Sequence, residues 1–152
     1  MLTRKGKYGL KALMHLSHLP AGQLEFVIDI AAANRIPKKF LDAILGELRN
    51  AGFVQSRKGK DGGYRLAKPA SEIKVGHVIR VLDGPLAPLP CASQTRYERC
   101  DDCDESTCEV RRLMLEVRHA LASVLDNRSL AEMRDAANDD LNEQLLRSAA
   151  SV

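Results

Sequence analysis

The four cysteines of this 152-residue chain, Cys91, Cys100, Cys103 and Cys108, fall within 18 consecutive positions. Their spacing is C-x8-C-x2-C-x4-C. Thiolates are soft ligands, and four of them on one flexible loop can hold an iron–sulfur cluster or a zinc ion. A zinc site usually shows two close ligand pairs. Here only Cys100 and Cys103 form one, so the spacing does not choose between the metals. In a reducing compartment such thiols do not form structural disulfides, which favours a metal or a redox role. Arg96 and Arg99 can offset the negative charge of a tetrathiolate site, whereas Asp101, Asp102, Asp104 and Glu105 do the reverse or keep the loop solvated. A thiol–disulfide enzyme using Cys100 and Cys103 is the weaker reading, because a redox C-x-x-C normally opens a helix in a βαβ setting and this one lies in an acidic loop. No Ser/His/Asp or Cys/His arrangement and no nucleotide-type glycine loop is present, so no enzyme is expected. His15 and His18, three apart on one helix, read as partly exposed side chains, and His77 and His119 have no supporting pattern.

The elements around the thiols must position them. Gly84, Pro85, Pro88 and Pro90 end regular structure just before the loop. Beyond it, Val110, Leu113, Met114, Val117, Leu121, Val124 and Leu125 recur at spacings of three and four, which predicts a long amphipathic helix over 108–125. A chain this small has little core left to cover that stripe, so the helix is expected to pair with a second copy. Ser129 and Glu132 form a capping box that opens one more short helix.

Upstream, residues 3–19 read as a basic amphipathic helix ended by Pro20 and Gly22, followed by a short alanine-rich helix over 28–34. Pro37 stands where the first residue of a third helix belongs, and Phe40, Leu41, Ile44, Leu45 and Leu48 form its apolar stripe. Gly52 stops it. Strands over 53–57 and 64–67 flank Lys58-Gly59-Lys60-Asp61-Gly62-Gly63, a tight reversal, and a helix over 75–82 packs beneath. The expected fold is mainly α with a small β-hairpin wing: a winged helix-turn-helix domain at 1–83, the Cys-rich loop at 84–107, a dimerisation helix and short following helix at 108–138, and a flexible tail at 139–152.

Charge assigns a partner to that domain. Residues 1–80 carry 15 Lys/Arg against 6 Asp/Glu, a balance of +9, while the remainder carries 8 Arg against 14 Asp/Glu, a balance of −6. A basic half suits a polyanion, since each neutralised phosphate releases counterions. Lys38, Lys39 and Arg49 are expected on the outward face of the third helix, which fits a major groove. Arg57, Lys58 and Lys60 at the hairpin reach flanking phosphates or a narrow minor groove. The implied partner is double-stranded DNA, read at a palindromic operator by a homodimer. Aromatic residues make up 4% of the chain and Trp is absent, which argues against stacking on single-stranded bases. No apolar run approaches the roughly 20 residues of a membrane span and no signal peptide is evident, so a cytoplasmic location without a membrane partner is expected.

With these pieces assembled, the chain resembles the IscR/NsrR-type (Rrf) family of winged-helix regulators over about residues 1–135. The likeness rests on Leu2-Thr3-Arg4-Lys5-Gly6-Lys7-Tyr8-Gly9-Leu10, on Ile36 to Phe53 ending in Leu48-Arg49-Asn50-Ala51-Gly52-Phe53, on Gly62-Gly63-Tyr64-Arg65-Leu66-Ala67, and on Ile73-Lys74-Val75-Gly76-His77-Val78-Ile79. The resemblance implies a dimer joined through the long helix and, in several members, a [2Fe-2S] or [4Fe-4S] cluster held by Cys of the preceding loop. Such members sense iron, nitric oxide, redox state or iron–sulfur status. Cys91 and Cys108 match the outer Cys of that pattern, and either Cys100 or Cys103 the middle one. Two departures stand out. The loop is longer, with four Cys rather than three, and the non-Cys ligands are missing: Tyr8 stands where one subgroup has an acidic residue and Arg111 where another has His. An all-Cys site within one chain is the resulting expectation. The alternative is a cluster-free regulator that uses the Cys as a thiol switch or structural zinc site and answers to a partner protein or metabolite.

Overall fold

Thr3 opens the first helix, its hydroxyl accepting the Gly6 N–H at 3.3 Å. The computed structural model describes residues 2–150, and in it α1 runs Arg4–Ser17. Two helices of a helix-turn-helix follow, α2 at Val27–Asn34 and α3 at Lys38–Asn50. Arg35 makes the turn between them in the left-handed region, φ 54°. The end of α3 is a Schellman motif: Phe53 N–H returns to Leu48 O at 2.9 Å and Gly52 N–H to Arg49 O at 3.0 Å, with Gly52 at φ 84°. The wing is an antiparallel pair, β1 Val54–Arg57 and β2 Gly63–Leu66, in register from Val54 opposite Leu66 to Arg57 opposite Gly63.

Helix α4 (Val75–Asp83) then packs across α1. Gly9 permits the approach, since a Cβ there would meet Leu82 Cδ1 at 2.2 Å. After an irregular stretch and a 3₁₀ turn at Pro90–Ala92 comes α5 (Glu109–Leu125), capped by Cys108, and finally α6 (Leu130–Ala150). The capping box at Ser129 closes as expected: Ser129 N–H donates to Glu132 at 2.7 Å and Glu132 N–H to Ser129 Oγ at 3.2 Å. One core joins these parts. Leu13, Ile30, Leu41, Leu45, Leu48, Ile73, Val78 and Leu130 are wholly buried in it, so the start of α6 is anchored in the same core as the helix-turn-helix. No helix among the described residues is long and apolar enough to cross a membrane.

The architecture is the expected one, mainly helical with a hairpin wing, and four details differ from the sequence reading. Pro37 is the residue before α3 rather than its first, with ψ 124° outside the helical region. Phe40, read as part of the α3 core stripe, is 65% exposed: on the first turn it lies at the edge of the arc that Leu41, Ile44, Leu45 and Leu48 bury. Residue Glu25 pairs with Tyr64 through two backbone hydrogen bonds of 2.8 and 3.0 Å, giving the wing a third short partner. Lastly, the stretch 139–150, read as tail, continues α6 to Ala150, while 151–152 lie outside the described residues. Past Arg134 this helix is exposed throughout, but its Ala, Leu, Gln and Glu are good helix formers, no Gly or Pro interrupts it, and Arg147 pairs with Glu143 one turn back.

Candidate functional site

Two surfaces carry the chemistry-bearing residues. On the first, α3 and the wing present cations side by side. Lys38, Lys39, Arg49, Arg57, Lys58 and Lys60 are all exposed. Lys38 is engaged with Asp42 at 2.8 Å, and no carboxylate lies within ion-pair distance of the other five among the described residues. Arg49 reaches the wing, donating to Ser56 Oγ at 3.3 Å, so α3 and β1 are fixed relative to each other. Between them lies an open groove of about 620 Å³ lined by Arg49, Gln55, Ser56, Arg57 and Arg65. Arg65 was not singled out from the sequence, because its place in a strand reads as ordinary solvation. The wing is held to the body by the Glu25 pairing, and Gly63 makes this possible: at φ 125° its absent Cβ would otherwise sit 2.4 Å from Glu25 O. His15 hydrogen-bonds Glu25, so that histidine supports the wing from α1, and His18 is exposed beside it.

The second surface is the Cys-rich loop against α5. All four cysteines line one cavity of about 490 Å³, together with Arg99, Asp102, Val110 and Arg111. Cys91 lies on the 3₁₀ turn and is only 7% exposed. Cys108 is the cap of α5, its Sγ accepting Arg111 N–H at 3.4 Å. Cys100, Asp102 and Cys103 bring one ligand atom each within 4.8 Å of one another. The Cys103 thiol is pushed up to about 12 by its hydrogen bond with Cys100 first, then by desolvation and by Cys108. Three of the thiols are thus close enough to feel one another, and a shared cation would relieve that crowding. Glu105 organises the loop by accepting Tyr97 OH and Cys100 N–H, at 2.5 and 2.8 Å. Those two bonds, Tyr97 first, hold its carboxyl below the usual range.

The residues expected at a dimer seam lie on α5, no residue of which is buried. Val110, Leu113 and Val124 are 54–60% exposed, while Met114, Val117 and Leu121 are half-buried. Leu121 turns partly toward the body of the chain, lining an apolar hollow with Leu2, Ile79, Leu86 and Leu125. The stripe is therefore one face of one helix, with Leu121 at its inner edge. On the other side α5 is tied to α4 by a two-pronged ion pair, Arg80 to Asp126 at 2.6 and 2.9 Å.

Comparison with known proteins identifies the family. A sequence model of the Rrf2 family, described as an iron-dependent transcriptional regulator, matches residues 2–136. A Rhodobacter capsulatus protein described as an rrf2-like HTH-type transcriptional regulator is 40% identical over 142 residues, 91% of this chain and 95% of that one. The structure of CymR, the global cysteine regulator of B. subtilis, is similar at a TM-score of 0.74 and 30% identity, over 90% of this chain and 97% of that chain. IscR of T. potens is similar at a TM-score of 0.72 and 28% identity, over 90% of this chain and 88% of that chain.

Proposed function

The chain belongs to the Rrf2 family of transcriptional regulators, proteins that bind DNA and are not enzymes, and on that premise we propose that it is a homodimeric repressor or activator whose operator binding answers to an iron–sulfur cluster on the Cys-rich loop. One observation carries the reading: all four cysteines line a single cavity beside the helix that would join the protomers. That donor set fits a group held by four thiolates, Cys91, Cys100, Cys103 and Cys108. When bound, such a cluster supplies one-electron redox chemistry and a charge that changes with its oxidation state.

The division of labour proposed is 1–83 for DNA, 84–107 for the cofactor and 108–138 for the dimer. Lys39 and Lys38 at the start of α3 face a major groove, and Arg49, Arg57, Lys58 and Lys60 take phosphates beside it. Two recognition helices about 34 Å apart would read a palindromic site. The partly exposed stripe Val110, Leu113, Met114, Val117, Leu121 and Val124 meets its copy. Because Cys91 follows α4 and Cys108 begins α5, the loop spans the join between the DNA-reading part and the dimer helix. A constraint there alters the spacing of the two recognition helices. A DNA partner puts this work in the cytoplasm.

A structural zinc site is the second reading, favoured by the closeness of Cys100, Asp102 and Cys103. Protein purified without oxygen decides between them. The cluster reading expects a visible absorption band with iron and acid-labile sulfide; colourless protein containing zinc alone replaces it with the second.

A further inference from the structure

We infer that Arg111 is a positioning residue of the thiolate site, bracing its first and last cysteines against each other; the inference rests on the metal-binding reading above. Cys91 and Cys108 are separated by a loop with almost no regular structure, so chain connectivity alone leaves their separation loose. Both ends touch Arg111. Its backbone N–H donates to Cys108 Sγ at 3.4 Å, and its side-chain Nε donates to the carbonyl of Cys91 at 3.0 Å. Arg118, two turns further along the same face of α5, donates to the carbonyl of Ala92 at 2.9 Å. The 3₁₀ turn that carries Cys91 is thereby pinned to α5 at two points, while Cys108 is built into the helix start.

A merely solvated arginine would not look like this. Neighbouring Arg112 is exposed, whereas Arg111 is partly buried and lines the cavity shared by all four cysteines. With Nε committed to Cys91, the terminal nitrogens of the rigid planar group bring a permanent positive charge to a site that collects negative thiolates. Groups that orient metal ligands in this way typically matter by about 10- to 100-fold in metal affinity. An N–H bond to a ligating sulfur also tunes the centre's electronic properties.

The test loads full-length protein anaerobically, one sample with ferrous iron and sulfide and another with zinc, and follows metal release to a chelator. R111A is expected to release metal at least tenfold faster than wild type and to alter the visible circular dichroism of the iron-loaded form. R111K, which keeps the charge but not the fork, is expected in between, and R112A unchanged. Should R111A not fold, R111Q carries the same comparison. Release within about twofold of wild type from a folded R111A or R111Q overturns the brace while leaving the metal site standing. Wild-type protein that retains neither metal overturns both.

Discussion

Each thiol meets a different environment on the same cavity wall, and substitutions are expected to sort accordingly. Cys91 is nearly buried on a pinned turn, Cys108 caps a helix, and Cys103 lies between Cys100 and Cys108. Serine at Cys91, Cys103 or Cys108 is expected to abolish iron retention, because a hydroxyl is a far harder donor than a thiolate. Cys100 also has Asp102 beside it, with its thiol donating to that carboxylate at 2.8 Å, so C100S is expected to lose only part of the iron. Iron per protomer in anaerobic preparations checks the order, and a C100S variant emptier than C103S contradicts it. A second contrast concerns α3. Leu41→Ala removes a wholly buried side chain and is expected to cost about 2–5 kcal/mol in denaturant unfolding, while Phe40→Ala, at an exposed site, is expected to cost well under about 1 kcal/mol. The stripe that placed both residues inside was legible as spacing. What spacing could not convey is how little of the helix's first turn its neighbours cover. Arg111 was legible only as a residue standing where a subgroup of the family has His; its contact with Cys91 was not, since that partner lies 20 positions away in a loop.

The elements themselves were readable where the signal is local: the stop at Gly52, the reversal around Gly59–Gly63 and the box at Ser129 all act within a few residues. The pairing of Glu25 with Tyr64 spans 39 positions and left no local trace. The end of α6 is not legible from sequence, because low hydrophobicity resembles a fraying tail although nothing in the stretch breaks a helix. Two predictions belong at this scale. Leu113→Asp places a charge on the outward part of the α5 stripe and is expected to give folded monomers by sedimentation; Leu121 is a poorer probe because it also lines its own protomer's hollow. A Leu113→Asp variant that remains dimeric removes this face from the interface. The other concerns the α4–α5 tie. The Arg80 hydrogen bond, more than the charges of Arg80 and His77, holds the Asp126 carboxyl below the usual carboxylate range against a desolvation penalty. A lowered folded value stabilises above the unfolded pKa, about 3.9, and that contribution disappears as pH falls through the folded one. Solvent screening keeps it on the order of 1 kcal/mol or less. Below about pH 4, D126N is therefore expected to lose thermal stability less steeply than wild type, and parallel melting curves contradict the tie.

At the scale of the whole molecule, the charge division of +9 and −6 is the reason the proposed function gives DNA contact to one half and sensing and dimerisation to the other. Leu130 of α6 is buried in the core of the basic half, so the two halves are mechanically linked. K58A or K60A is expected to weaken binding across sequences and to lower the salt slope by about 0.9 per lost phosphate contact, measured by anisotropy at several salt concentrations. Most direct for the account as a whole is the affinity of one anaerobic preparation for duplex DNA from its own promoter region, before and after oxidative removal of bound iron. The account predicts a change of about tenfold or more, equivalent to about 1.4 kcal/mol of coupling between loop and recognition helices. Equal affinities, with iron demonstrably bound and then lost, would contradict it.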